Sequence, residues 1–259
     1  MPTSNDNWVT DMFDMSDRVV IVTGGTRGIG LALAEGYATC GAKVVVASRN
    51  AEACTATEKH LRSFGVDALG VPTQMSDLAA LSELVRRSVD AFGRIDVVVN
   101  NAATALAQPV GSFTPQAWQK VFDTNLRGPV FLAQEALPYL KQSNQASILN
   151  IISASAFTFV DGMSLYASTK AALAAYTRSA ATELAPFKIR VNSLAPGAVN
   201  TDMIRANTPE RQEWFSQSML MKRLGDPREI VGPALLMTSA AGSFITGQTL
   251  CVDGGTVAH

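Results

Sequence analysis

An α/β domain built on a parallel sheet covered by helices on both faces is the fold class this sequence predicts. Three observations lead to it. Short apolar runs alternate with longer helical patterns along the chain. Several of the runs are rich in Val and Ile without polar alternation, as strands buried on both faces must be. No internal repeat, low-complexity tract or linker divides the 259 residues, a length one large domain accommodates.

The elements follow in order. Residues 1–15 are polar and acidic and read as an N-terminal arm, so the domain proper is expected over 16–259. Strands are expected at 18–23 and 43–47, where the valine-rich runs 19–22 and 44–46 fall, and at 67–72 and 95–100. Three more are expected at 147–153, 189–194 and 248–252. Helical patterns fill the gaps, among them 77–92, 115–141, 164–184 and 227–239. The segment 200–224 breaks the rhythm. It carries Met203, Ile204, Trp214, Phe215, Met219 and Met221, residues costly to expose, and is expected to form a small helical lid over something apolar.

Composition excludes several functions. A formal net charge of −1 gives no electrostatic reason to expect nucleic acid or an anionic membrane as partner. No apolar run approaches the roughly 18 residues of a membrane span, and the first residues lack the pattern of a secretory signal. Cys40, Cys54 and Cys251 are odd in number and widely spaced, which fits reduced thiols and a cytoplasmic location. The only histidines are His60 and His259, and no Cys/His cluster exists, so neither a metal site nor a Ser-His-Asp triad is expected.

The first strand opens into Thr23-Gly24-Gly25-Thr26-Arg27-Gly28-Ile29-Gly30, followed by a helical pattern from Leu31. A dinucleotide pyrophosphate needs close backbone approach and a helix N-terminus with free N–H groups. Gly24, Gly28 and Gly30 permit that approach, with Thr26 and Arg27 lining the turn. The spacing is Gly-x-x-x-Gly-x-Gly rather than the commoner Gly-x-Gly-x-x-Gly. After the second strand the chain reads Ala47-Ser48-Arg49-Asn50, without the carboxylate that usually binds a ribose 2′-hydroxyl. Arg49 and Arg27 suit a 2′-phosphate instead, so NADP(H) is expected over NAD(H).

Tyr166 and Lys170 are four residues apart, and Ser153 lies thirteen residues before the tyrosine. On a helix that spacing places phenol and ammonium on one face, and a nearby cation lowers a phenol pKa. Pro129, four residues after Asn125, has no N–H to return to the Asn125 carbonyl, which is expected to be free to accept from water.

These motifs, with Asn100-Asn101-Ala102, Pro196-Gly197, Ile245-Thr246-Gly247-Gln248 and Val252-Asp253-Gly254-Gly255, stand in the order of one family. From about residue 16 to 256 the chain resembles a short-chain dehydrogenase/reductase of the single-domain type. The resemblance implies a Rossmann-type doubly wound domain with a seven-stranded parallel sheet, assembled as a homotetramer. It also implies hydride transfer between a nicotinamide and a carbonyl or secondary alcohol. By motif position Tyr166 would be the general acid or base, and Ser153 would orient the substrate oxygen. Lys170 would tune the tyrosine and bind the ribose, and Asn125 would hold a relay water. Pro196, Gly197, Val199 and Thr201 would wrap the nicotinamide, with Asn101 along the ribose beside Ala102. Two departures stand out. Gln74 occupies the place of a frequent Asp, leaving the Met75 backbone to meet the adenine, and Ala103 replaces a glycine.

Substrate walls are expected from 104–108, 154–163, Ala198 and the lid. Phe157, Phe159, Val160, Met163, Met203, Trp214 and Phe215 make them largely apolar, which favours an apolar or aromatic ketone. One alternative is a 3-oxoacyl-[acyl-carrier-protein] reductase-like enzyme, although the stretch 142–147 supplies no basic residue for carrier docking. The other is a non-catalytic NADP-binding sensor or assembly subunit, against which Asn125, Ser153, Tyr166 and Lys170 all stand in place.

Overall fold

In the computed structural model, which describes residues 7–257, a seven-stranded sheet runs in the order β3-β2-β1-β4-β5-β6-β7. The strands are β1 Val19–Thr23, β2 Lys43–Ser48, β3 Ala68–Pro72, β4 Val97–Asn100, β5 Ser147–Ile151, β6 Arg190–Pro196 and β7 Thr249–Val252. Every pairing is parallel. The helices are α1 Trp8–Asp11, α2 Gly28–Thr39, α3 Ala51–Arg62, α4 Leu78–Phe92, α5 Pro115–Phe122, α6 Gly128–Leu140, α7 Ser164–Leu184, α8 Asp202–Arg205, α9 Pro209–Ser218 and α10 Val231–Thr238.

Alternation along the strands divides the core into two layers. Val20, Val22, Val44, Val46, Val97 and Val99 pack with Leu33 and Tyr37 of α2 and with Ala234 and Met237 of α10. Val19, Ile21, Val45 and Val98 point the other way, onto Leu81 and Leu84 of α4, Leu132 and Leu140 of α6, and Ala180 of α7. Each fully buried Val or Leu contributes roughly 1.5–3 kcal/mol, so these valine runs commit the strands to the interior. Helix starts are fixed by side chains: Asn50, Asp77 and Thr114 accept from the first-turn amides of α3, α4 and α5. Gly93, with φ +75°, closes α4 in a left-handed turn.

Three expectations change. The helix foreseen over 115–141 is two helices joined by a π-helical turn, Asp123–Arg127, in which the Gly128 amide donates to the Asp123 carbonyl. Pro129 cannot donate to the Asn125 carbonyl, and the helix widens in the turn before it. The helix foreseen over 227–239 begins with a tighter turn, Pro227–Ile230, before α10. Within the described part of the arm, α1 precedes an anchored end: Met15 is fully buried, and its amide bonds the Cys40 carbonyl. His259 lies outside the described residues.

The lid segment forms α8 and α9, and neither helix buries a residue. Trp214 remains 45% exposed and Met221 65%, while Ile204 and Phe215 are half-buried, so the apolar side chains pack down only in part. The anchor lies at the far end of the segment. Met219 is buried near Gly254, and the Met221 amide bonds the Gly254 carbonyl.

Candidate active site

The strand order reverses beside β1, whose neighbours are β2 on one side and β4 on the other. In doubly wound sheets the crevice at the carboxyl ends of such strands receives ligands. The sequence-selected residues gather at these ends: Gly24 after β1, Ser48 and Arg49 after β2, Asn101 after β4, Ser153 after β5 and Pro196 ending β6.

The glycine turn fits a dinucleotide pyrophosphate. Gly24 and Gly28 take φ values of +65° and +53°, which side chains rarely adopt. A Cβ on Gly30 would sit 2.1 Å from the Gly24 carbonyl, so only glycine lets α2 start this close to the turn. No side chain caps α2, and its first turn carries no acid, which leaves its amides directed at an anion. Ile29 is half-buried against the core, Thr26 is partly covered, and Arg27 is exposed. Arg27 lies 3.6 Å from Asp202 of α8, so one of the two cations chosen for a phosphate is shared with the lid.

Asn101 braces this turn. Its Nδ2 donates to the carbonyls of Thr23 at 2.8 Å and Gly24 at 3.3 Å, while Thr23 Oγ1 accepts from the amides of Asn101 and Ala102. Asn50 is occupied as the α3 cap, so Ser48 and Arg49 supply the open polar groups at the end of β2. Gln74 Nε2 donates to the Ser76 hydroxyl, and the Met75 side chain is buried. On the opposite wall, Gly197 is tied to β7 by its amide bond to the Val252 carbonyl, and a Cβ there would strike the Asp253 carbonyl at 2.7 Å. Val199 is buried and bridges to Gly225, and Thr201 comes within 3.1 Å of where a Gly28 Cβ would stand.

Ser153, Tyr166, Lys170 and Asn125 meet where β5, α7 and the π-helical turn converge. Ser153 Oγ caps the turn Ala154–Ala156 and accepts from the Ser155 hydroxyl at 2.9 Å. The buried Lys170 Nζ donates to the Ile151 carbonyl at 2.7 Å and lies 5.5 Å from the centre of the Tyr166 ring. Burial pushes the Tyr166 phenol up to about 12, opposed by its hydrogen bond with Ser153, and pulls Lys170 down to about 7. The lowering of the phenol expected from the Tyr-Lys spacing does not show; desolvation sets the direction. Asn125 is fully buried. Its Oδ1 accepts from the Thr104 amide at 2.8 Å, and its Nδ2 donates to the Thr104 carbonyl at 2.9 Å and to Thr169 Oγ1 at 3.2 Å. Thr104 and Thr169 were not foreseen in this role, because a two-way backbone clamp has no sequence signature.

A family model described as enoyl-(acyl carrier protein) reductase matches residues 24–257. The chain belongs to the short-chain dehydrogenase/reductase family. It is 34% identical over 250 residues to the rhamnolipids biosynthesis 3-oxoacyl-[acyl-carrier-protein] reductase of Pseudomonas aeruginosa, covering 94% of this chain and 97% of that one. The solved NADP active-site complex of Pseudomonas aeruginosa RhlG is 34% identical, with a TM-score of 0.90 and coverage of 95% and 98%. A 7α-hydroxysteroid dehydrogenase complexed with NADH and 7-oxo glycochenodeoxycholic acid is 32% identical, with a TM-score of 0.92 and coverage of 96% and 98%. Short-chain dehydrogenases/reductases act on CH–OH and C=O groups with a nicotinamide cofactor, and this protein is an oxidoreductase of that kind. No described helix is long and apolar enough to cross a membrane.

Proposed function

We propose that the protein is an NADP(H)-preferring carbonyl reductase for apolar or aromatic ketones, or for the matching secondary alcohols in the reverse direction. The observation that carries the reading is the buried Lys170 Nζ 5.5 Å from the centre of the Tyr166 ring, on the helix that faces Ser153 just past β5. The nicotinamide, when bound, supplies or accepts the hydride. A carbonyl receiving hydride becomes an alkoxide and needs donors aimed at its oxygen. Ser153 orients that oxygen, and Tyr166, fully protonated near neutral pH, delivers the proton. In oxidation Tyr166 is the base, and the Lys170 ammonium stabilises its phenolate. The Asn125 side chain is consumed by Thr104 and Thr169, so its contribution to a relay is its carbonyl, for which Pro129 supplies no amide.

The preference for the 2′-phosphate rests on Ser48 and Arg49, with Arg27 within reach of the same cradle. Gly24, Thr26, Gly28, Ile29, Gly30, Met75, Asn101, Ala102, Pro196, Gly197, Val199 and Thr201 line the cofactor path. Phe157 and Phe159, which precede α7, and Met203 and Trp214 of the lid are exposed, and an apolar substrate would give them a partner. The exposed Trp118, stacked on Phe122 at 4.0 Å, and the fully exposed Phe244 support assembly as a homotetramer, which light scattering tests. Free cysteines at 40, 54 and 251 support a cytoplasmic setting.

NADPH fluorescence titration paired with ketone-dependent loss of nicotinamide absorbance tests the reading. Tyr166→Phe should abolish turnover and leave cofactor binding nearly intact. Binding without turnover of any carbonyl, unchanged in Tyr166→Phe, would instead support a sensor. Ser48→Asp combined with Arg49→Ala should move preference towards NAD, and an unchanged ratio would sink the cofactor assignment. A second reading, reduction of a 3-oxoacyl thioester on a carrier protein, is favoured by the name of the Pseudomonas relative. Faster turnover of an acetoacetyl thioester than of any aryl ketone would select it.

A further inference from the structure

Beneath the catalytic cluster a row of buried polar side chains crosses three neighbouring strands. Asn100 of β4 is in register with Asn150 of β5, and Asn150 with Ser193 of β6. Asn100 is 2% exposed and the other two are fully buried, as is Thr177 of α7. Asn100 Nδ2 donates to Asn150 Oδ1 at 2.9 Å, and Asn150 Nδ2 donates to Thr177 Oγ1 at 2.9 Å. Thr177 Oγ1 donates its own proton to the Leu173 carbonyl at 2.8 Å, so the Ser193 hydroxyl, also 2.8 Å away, must be the donor in that pair. Asn100 Nδ2 also donates to the Pro129 carbonyl at 3.3 Å, while its Oδ1 has no partner among the described residues. Thr177 Oγ1 is the acceptor on which β5 and β6 converge.

We infer that this row fixes the position of α7 along the sheet, which makes Thr177, held by Asn150 and Ser193, a positioning residue for Tyr166 and Lys170. Carboxamides at two of its places cannot pass a proton on, so the row is a strut rather than a proton path. A strut is useful because, Leu165 and Leu173 apart, the apolar side chains that α7 buries are small: Ala174, Ala180 and Ala181. Such contacts resist separation but define the axial register weakly, whereas buried hydrogen bonds have direction. Thr177 lies seven residues beyond Lys170, about 10 Å along the axis. A rigid helix carries a displacement at Thr177 directly to the lysine and the phenol. On the other side of Lys170, Thr169 is held by Asn125, so the catalytic turn is held from both directions. Misplacement of a reacting group by about 1 Å costs on the order of a hundredfold in rate.

The inference rests on the assignment of Tyr166 and Lys170 made above, and its test separates the two. Thr177→Val keeps the shape and removes the acceptor. With the most rapidly reduced aryl ketone as probe, kcat should fall about tenfold or more, while the Kd for NADPH stays within about twofold. Thr177→Ser restores the hydroxyl and should recover most of kcat. Ser193→Ala leaves no donor stranded and gives a folded variant should Thr177→Val prove insoluble; it should show a smaller fall of the same kind. Crystal structures of the variants provide a readout independent of turnover: Tyr166 and Lys170 should be displaced in Thr177→Val and restored in Thr177→Ser. Unchanged kcat and undisplaced side chains, even with a lower Tm, would overturn the inference. Turnover that survives Tyr166→Phe would overturn the catalytic assignment and leave a displaced α7 as a separate result.

Discussion

Replacing Lys170 by methionine should make the protein more stable at neutral pH while removing its activity. Lys170 is 2% exposed, and burial lowers its pKa from 10.5 to about 7. At about 1.4 kcal/mol per decade, that fall is a penalty of roughly 5 kcal/mol when the unfolded lysine is fully charged. The bond to the Ile151 carbonyl, lost in the variant, offsets about 1 kcal/mol of the gain. The folded-state pKa lies below the unfolded value, so the unfolded chain binds the extra proton across the window from about 7 to 10.5. Stability must therefore rise with pH there, at up to about 1.4 kcal/mol per pH step. Below pH 7 the whole penalty is present, and above 10.5 it is gone. Urea unfolding of parent and Lys170→Met, at matched protein concentration without cofactor, should show the variant more stable by about 3–4 kcal/mol at pH 6.5. The gap should shrink to about 1 kcal/mol at pH 9. Taking the difference between variant and parent cancels the other titrating groups. A variant less stable than the parent at pH 6.5, or a gap that does not change with pH, would refute the desolvation argument.

Two further changes test the frame around the site. Gly30→Ala places a methyl 2.1 Å from the Gly24 carbonyl and 2.5 Å from Asn101 Nδ2, so NADPH affinity measured by fluorescence should fall at least a hundredfold; affinity within about threefold would show that the turn yields. Asp96, fully buried, accepts from the Val19 amide at 2.9 Å, from Arg94 and from the Ser143 hydroxyl. Asp96→Ala should cost about 3–5 kcal/mol in urea unfolding, because it strands buried donors, while a loss under about 1 kcal/mol would show that water replaces the carboxylate.

What could be read from the sequence follows from which interactions are local. The valine runs of β1, β2 and β4 declare burial on both faces by composition alone, and the glycine turn declares its geometry because a Cβ at Gly30 has nowhere to go. Tyr166 and Lys170 are one helical turn apart, so their shared face is written in their spacing. The π-helical turn was half legible. Pro129 announced a missing amide, but only the packing of α5 and α6 decides whether the helix kinks, ends or widens. The direction of the pKa effects was not legible, since spacing reports neighbours but not desolvation, and here desolvation governs both phenol and ammonium.

The polar row marks the limit of sequence reading most clearly. Asn150 interrupts the apolar run 148–152, and Ser193 follows Asn192 in a strand of mixed composition, so neither announces a row by itself. Their partner Thr177 is an unremarkable helical residue 16 positions from one and 27 from the other. Only the parallel register places Asn100, Asn150 and Ser193 side by side, and only the seating of α7 brings Thr177 over them. A strand that must be buried on both faces has strong reason to exclude such groups, because an unpaired buried amide costs about 1–3 kcal/mol. Their retention under the helix that carries Tyr166 and Lys170 makes sense if register there matters more than the stability an all-apolar row would provide.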